Sequence, residues 1–568
     1  MRWLTATPRP DIVETLERAL DIPRVLAHLL AVRGLETPEE ARSFLYPTLG
    51  TFPDPSTMPQ INEASARLAK AIRGKESILI WGDYDVDGIT STVLLLSFID
   101  DCGGTAAYYL PHREDDGYGM NMPRAEQTVA DGVDLVITVD CGTANHAVLG
   151  TLADAGVDVI VTDHHVLQGE HPRALAFINP QRLDAPAAFR PLAGVGVAFL
   201  LVAGTRKAMA LGDSVPPLKS YLDMVALGTI ADMVPLTGLN RTLVHHGLHG
   251  WEKPARPGLS ALKRIAGIED RILDSGTIAF AVGPRLNAAG RLDTASLSVE
   301  LLRTRSFAEG LIQAKELDRL NSERKEIEAE IFQQAVAQVG RTPEEVGPQS
   351  IVVVGEGWTR GVLGIVASRL VQTFHRPAVV LSVDASGTAS GSGRSIKPFN
   401  LVRALEASAD LMDRYGGHAM AAGMTLPLER VAALRERLSA AVAAEVSAED
   451  LIPSLDVDME IAIDAVDQAL VTAVETLAPF GNGNPEPRFL SRSVPLLSCK
   501  RVGKDGAHLK LVVDGGGGRR VEAIAFRRGD AAVEPGAHVD LVYVPEFKTW
   551  RGIRSLQLRV EDLGRSAQ

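Results

Sequence analysis

The chain has 568 residues, 46% hydrophobic and 23% charged, with a net charge of −13. That length is too great for a single core and implies about three or four domains. The composition is that of a soluble globular protein, and no run offers the ~20 apolar residues of a membrane span, so no membrane is expected among its partners. Three scattered cysteines, Cys102, Cys141 and Cys499, argue against a disulfide framework and for a reducing cytoplasm. Pro8, Pro10 and Asp11 stand where a signal peptide would be apolar.

Residues 1–60 read as an N-terminal helical arm. Within it Thr37-Pro38-Glu39-Glu40 predicts an N-cap, a first-turn proline and acids matched to the helix dipole, and a proline-rich stretch from Pro47 to Pro59 closes the arm. From residue 61 to 305, β-branched apolar runs at Ser77–Trp81, Thr105–Leu110, Asp134–Val139, Val157–Thr162 and Ala174–Ile178 alternate with helix-length segments. Strands buried on both faces and separated by helices predict a parallel α/β sheet. Residues 306–340 carry apolar residues at helical spacing, dense charge and no proline, and predict a long connecting helix. A second α/β domain spans 341–450, beginning with the strand Ile351–Gly355. Residues 451–568, with short strands and the Gly515–Gly518 turn, predict a small antiparallel barrel. The acidic total hides a basic segment: from Arg488 onward 15 Lys and Arg face 9 Asp and Glu.

The most informative stretch is Ser77-Ile78-Leu79-Ile80-Trp81-Gly82 running into Asp83-Tyr84-Asp85-Val86-Asp87-Gly88. Alternation in an extended segment would point Asp83, Asp85 and Asp87 to one side, where their charges repel unless divalent cations neutralise them or some protonate. Two further strands end in candidate ligands, at Asp140 and at Asp163-His164-His165, and Asp232 follows an apolar helix-like run. The carboxyl ends of parallel strands share one crevice. Carboxylates mixed with imidazole suit Mn²⁺ or Mg²⁺ better than structural zinc, and five or six ligands suit two ions, which would promote water attack at phosphorus. Plainer roles exist: Asp140 alone could cap a helix, His165 could bond the backbone, and Asp163 could orient an imidazole. A calcium loop lacks its closing Glu, since Leu94 stands at position twelve.

These motifs, together with Gly194–Phe199, Gly283–Asp293, Gly357–Arg369 and Gly416–Gly423, resemble the DHH phosphoesterase superfamily and within it the bacterial RecJ family, over nearly the whole chain. The resemblance implies a DHH parallel-sheet domain, a DHHA1-type α/β domain and a C-terminal OB-fold. It implies a 5′-to-3′ exonuclease that degrades single-stranded DNA to 5′-mononucleotides. It also implies Asp85, Asp87, Asp140, His164 and Asp232 as metal ligands with Asp140 bridging, Asp83 completing one shell, and His165 on the reacting phosphate. Single-strand-binding protein and a RecQ-type helicase are the partners it suggests, in DNA repair and recombination near the nucleoid.

A free 5′-phosphate carries more charge than an internal one, so arginine forks could sense it. Candidates are Arg285, Arg291, Arg360 and Arg394, with Ser392 and His418 as added donors. Arg113 and Tyr118, in the loop after the second strand, are expected near the terminal nucleotides. On the barrel, Arg501 and Lys504 would follow phosphates while Phe547 and Trp550 stack bases. A phosphoesterase for small substrates or short oligonucleotides, and a non-enzymatic strand-binding scaffold, are the competing readings.

Overall fold

The structure, a computed structural model, describes residues 1–566 except 114–116, 118, 168, 213, 253, 272, 341–349, 532 and 551–552. The chain forms two compact units. One comprises Pro53–Val234 and His246–Pro453, the other Met1–Phe52, Pro235–His245 and Ser454–Gln568.

In the first unit the five apolar runs form a five-stranded, all-parallel sheet ordered Ala106–Tyr109, Ile78–Gly82, Leu135–Val139, Asp158–Thr162, Ala176–Ile178. Both faces are covered. Leu79, Trp81, Val136, Val159 and Val161 pack in one core with Val148, Leu149 and Leu152 of the helix His146–Asp154. The helices Val86–Asp101, Gly194–Met209 and Leu222–Ala231 pack on one another and are buried over most of their length, which explains their largely apolar composition. The strand Ile78–Gly82 sends its successor to one side and the next strand to the other, creating a switch point where such sheets bind ligands.

The long connecting helix runs from Phe307 to Val339, with the Ser306 hydroxyl accepting from the Glu309 amide. Beyond it lies a five-stranded mixed sheet ordered Arg414–His418, Ala421–Pro427, Thr388–Arg394, Ala378–Val383, Ile351–Glu356, in which only the last pair is parallel.

In the second unit the arm shares a single core with the barrel. Leu16, Leu29, Leu30 and Phe44 pack with Leu470, Phe489, Leu511, Leu541 and Tyr543. Thr37 and Glu40 form the expected capping box, each side chain bonded to the other residue's amide. The barrel closes through the pairings of Phe489–Val502 with His508–Asp514, then Arg520–Ala525, Ile553–Arg565, His538–Trp550 and back to Phe489–Val502. One seam, Arg520–Ala525 against Ile553–Arg565, is parallel, so the barrel departs from the purely antiparallel expectation. Those strands are separated in sequence by His538–Trp550, and the long connection frees their relative direction.

Arg241 fastens the short segment Pro235–His245 into this unit. Its guanidinium lies 3.8 Å from the Phe44 ring centroid and donates to the carbonyls of Phe44 (2.8 Å), Leu477 (2.9 Å), Ala478 (2.8 Å) and Pro479 (3.3 Å). Arg241→Met keeps the apolar stem and leaves buried carbonyls unpaired. It should cost about 3 kcal/mol, read as a lower urea midpoint for this unit's transition; an unchanged midpoint would show that water replaces the guanidinium.

Candidate active site

Strand register assembles the site. Gly82 pairs with Val139, and Val139 with Thr162, so the next residues, Asp83, Asp140 and Asp163, leave three adjacent strands at one level. Asp140 takes a left-handed turn (φ 60°), and the helix Gly194–Met209 begins against it: a Cβ on Gly194 would lie 2.8 Å from Asp140 Oδ1. Only glycine admits the carboxylate there.

Asp83, Asp85 and Asp87 do not alternate along an extended segment. The strand stops at Gly82, Asp85 caps the helix Val86–Asp101 by accepting from the Asp87 and Gly88 amides, and Asp87 lies in that helix's first turn. The capping role considered for Asp140 thus belongs to Asp85; the next helix after Asp140 starts behind Asn145, whose side chain makes no cap hydrogen bond. Asp87 Oδ2 and Oδ1 accept from the amides of Gly194 (2.6 Å) and Val195 (2.9 Å) at another helix N-terminus, where the dipole favours an anion. Asp232 arrives as the C-cap of the helix Leu222–Ala231.

The side chains converge. His164 Nε2 lies 3.1 Å from Asp140 Oδ1, 3.7 Å from Asp232 Oδ2 and 3.9 Å from Asp87 Oδ2. Three triads bring one potential ligand atom each within 4.8 Å of one another: Asp83/Asp85/Asp140, Asp87/His164/Asp232 and Asp140/His164/His165. Asp163 does not join them. One of its oxygens accepts from the His164 and His165 amides and pairs with His165 Nδ1 at 2.7 Å, while the other takes the Thr143 amide.

Electrostatics divides the roles. Burial, then the Asp85 charge, pushes Asp83 well above the usual carboxylate range and Asp87 up to about 7. Burial followed by Asp87 and Asp85 raises Asp140 well above that range and Asp232 to about 9. For His165 burial acts downward but the Asp163 hydrogen bond outweighs it, lifting the imidazole to about 9; Asp163 is correspondingly held low against its own burial. Burial and the neighbouring His165 charge drop His164 to about 4. A neutral imidazole sits in the cluster with a cationic one beside it.

This donor set fits divalent ions. Asp83 Oδ1, His164 Nε2 and Asp232 Oδ2 are buried without a hydrogen-bond partner, and packed carboxylates that repel one another are relieved by a dication. Oxygen-rich ligation with one or two imidazoles and no thiolate matches Mn²⁺ or Mg²⁺.

The arginine candidates separate into groups. Arg113, Arg291 and Arg360 line one cavity of about 500 Å³ with Trp358. The Arg113 charge reaches Asp83 on one side and Arg291 and Arg394 on the other. Burial lowers Arg394 and takes Arg291 down to about 10, against the pull of the Asp85 charge on Arg291. Ser392 precedes Arg394 by two on the same strand, half-buried, between Val380 and Gly423. Arg360 is exposed and pairs with Asp384 at 3.3 Å. Arg285 turns to Asp318 on the long helix at 2.9 Å, and His418 is exposed on its edge strand. On the barrel, Arg501 and Lys504 are exposed and Phe547 lies under the Arg554 guanidinium at 3.7 Å. Tyr118 and the Trp550 side chain lie outside the described residues.

Sequence reasoning assigned no role to the Gly194 and Val195 amides, to Asn287, which accepts from the Val86 amide at 3.1 Å, or to Asn179, which bonds both Thr143 and the His165 carbonyl. The first three stand inside motifs that carried the family resemblance, which was the available signal.

Aspartates and a paired histidine at three adjacent strand ends define a DHH-type metallophosphoesterase, and the DHH family N-terminal domain matches residues 77–229, followed by a DHHA1 domain at 347–444 and a RecJ OB domain at 457–562. The chain belongs to the RecJ family. It is 36% identical to the single-stranded-DNA-specific exonuclease RecJ of Bacillus subtilis (strain 168), covering 99% of this chain and 70% of that one. It is 35% identical to RecJ of Escherichia coli (strain K12), covering 98% of both. The crystal structure of RecJ with Mn²⁺ from Thermus thermophilus superposes with a TM-score of 0.85 at 30% identity, covering 100% of this chain and 80% of that one. The Mg²⁺ complex from the same organism gives a TM-score of 0.77 at 29% identity, covering 100% and 79%. Among the described residues no helix is long and apolar enough to cross a membrane.

Proposed function

We propose that the chain is a metal-dependent exonuclease that enters single-stranded DNA at its 5′ end and removes 5′-mononucleotides, serving DNA repair and recombination. The observation that carries the reading is the sharing of Asp140 by two ligand triads, one of which includes Asp83, whose carboxylate feels the Arg113 charge. The relatives named as single-stranded-DNA-specific exonucleases and the Mn²⁺ and Mg²⁺ complexes support it.

Asp83, Asp85, Asp87, Asp140, His164 and Asp232 would hold two Mn²⁺ or Mg²⁺ ions, Asp140 belonging to two of the ligand triads. Bound there, such ions supply a water of lowered pKa and Lewis-acid stabilisation of the charge that develops at phosphorus. Neutral His164 keeps a lone pair for ligation. Cationic His165, fixed by Asp163, presents a charged donor to the scissile phosphate. Arg113, Arg291 and Arg394, with Ser392, take the doubly charged terminal phosphate. The exposed cations of the barrel follow the strand and read no sequence. Single-strand-binding protein and a RecQ-type helicase supply the strand, at the nucleoid.

The test incubates purified protein with Mn²⁺ and three substrates: a 5′-labelled single strand, the same strand in a blunt duplex, and pyrophosphate. Release of labelled mononucleotide from the single strand alone is expected. Hydrolysis of pyrophosphate with an intact single strand would make this a small-substrate phosphoesterase, and binding without any hydrolysis would make it a scaffold.

A further inference from the structure

Tyr84 lies between the cluster residues Asp83 and Asp85, and its partly buried ring sits beneath Arg113: the guanidinium carbon is 4.7 Å from the ring centroid. A guanidinium over an aromatic face is held by the ring's quadrupole, most strongly when water is displaced.

The segment carrying the ring is itself pinned. Helix Gly283–Leu292 presents Asn287 and Gly290 to it on one face: Asn287 accepts from the Val86 amide, and a Cβ on Gly290 would lie 2.5 Å from the Tyr84 carbonyl oxygen. Next along that helix, Arg291 donates to the Gly361 carbonyl at 2.8 Å. Two cations that repel each other, Arg113 and Arg291, are therefore both set from one turn-and-helix contact, one through an aromatic face and one through the backbone.

We propose that Tyr84 is the positioning residue for Arg113, fixing the distance between the strand-end binding site and the carboxylate cluster and thereby the length of the product. The inference rests on the reading of Arg113, Arg291 and Arg394 as the holders of the terminal phosphate. With that phosphate on Arg113, the next phosphodiester is the one that reaches the cluster, and a single nucleotide leaves. Without the ring Arg113 swings, the terminal phosphate loses its fixed station, and phosphodiesters further along reach the cluster.

The experiment compares wild type, Tyr84→Phe, Tyr84→Ala, Arg113→Ala and Tyr84→Ala/Arg113→Ala. Binding of 5′-phosphorylated and 5′-hydroxyl single strands is measured by fluorescence anisotropy in EDTA, and product lengths are resolved after Mn²⁺ addition. Expected is a wild-type preference for the 5′-phosphate that Tyr84→Phe retains and Tyr84→Ala reduces about tenfold, with dinucleotides joining the products. The double variant should match Arg113→Ala alone, because Tyr84 acts through that side chain. A Tyr84→Ala preference within twofold of wild type, or additive losses in the double variant, overturns the positioning role. A wild type that binds both strands equally overturns instead the underlying reading of the strand-end site.

Discussion

Asp140→Asn is expected to lower Mn²⁺-supported hydrolysis of single-stranded DNA about a thousandfold or more while raising the thermal stability of the metal-free protein. The first effect follows from removing the carboxylate shared by two ligand triads: several kcal/mol of transition-state stabilisation corresponds to about that factor. Asn suits the test because it tolerates the left-handed φ of 60° better than Ala does. The second effect has the opposite sign because Asp83, Asp87, Asp140 and Asp232 are all raised above their unfolded values by burial and by one another. For a carboxylate raised in the folded state, stability is fully present below the unfolded pKa near 4 and is lost as pH rises through the folded values, about 7 for Asp87 and about 9 for Asp232. Deleting one charge relieves the rest. In EDTA at pH 8 the variant should melt at least about 2 °C above wild type, with the gap closing toward pH 4. Mn²⁺ should reverse the order, since wild type gains more from binding. Cleavage within tenfold of wild type, or equal melting temperatures in EDTA at pH 8, would falsify the shared-ligand assignment.

Legibility followed the range of the physics involved. The parallel sheet was readable because strands buried on both faces, such as Ile78–Gly82 and Leu135–Val139, must be largely apolar, and the ligands were readable because a shared strand direction places their ends on one edge. The conformation of the first motif was not. Alternation at Asp83, Asp85 and Asp87 looks extended, yet the helix starts at Val86, and the three carboxylates converge because Asp85 caps the helix and distant amides of Gly194 and Val195 pull Asp87 in. No local pattern encodes that contact, which joins residues 107 apart. Likewise Arg285, Arg291, Arg360 and Arg394 read as equivalent cations in the sequence. Burial distinguishes them: Arg291 and Arg394 are lowered by it, Arg291 within reach of the Asp85 charge, while Arg360 is exposed beside Asp384 and Arg285 is committed to Asp318. The arm and barrel, read as separate domains, share a core because each presents an apolar face, and a sequence shows such faces without showing what covers them.

Truncation before Ser454 illustrates what that shared core demands. Because the sequence reads arm and barrel as separate domains, loss of the barrel would be expected to leave the arm intact. The packing requires more. Ile12, Val13, Leu16, Leu26, Leu29, Leu30, Phe44 and Leu45 of the arm bury against barrel residues or against one another in the same cluster, at about 2 kcal/mol each, and even half of that total rivals the whole stability of a typical domain. The strand Arg2–Thr5 would lose its partner Ser454–Val457, the Trp3 indole its acceptor Asp562, and Arg241 three of its four carbonyls. The fragment 1–453 should therefore bind an apolar dye strongly, aggregate at micromolar concentration and show no cooperative transition for the arm. A soluble, monomeric fragment with little dye binding and a sharp arm transition would show that the arm folds alone. Because the truncation damages both parts, the barrel's hold on DNA is measured instead by Arg501→Ala/Lys504→Ala, at two exposed positions outside the core. If both contact phosphates, the slope of log affinity against log salt should fall by about 1.4 for a single strand, with melting unchanged.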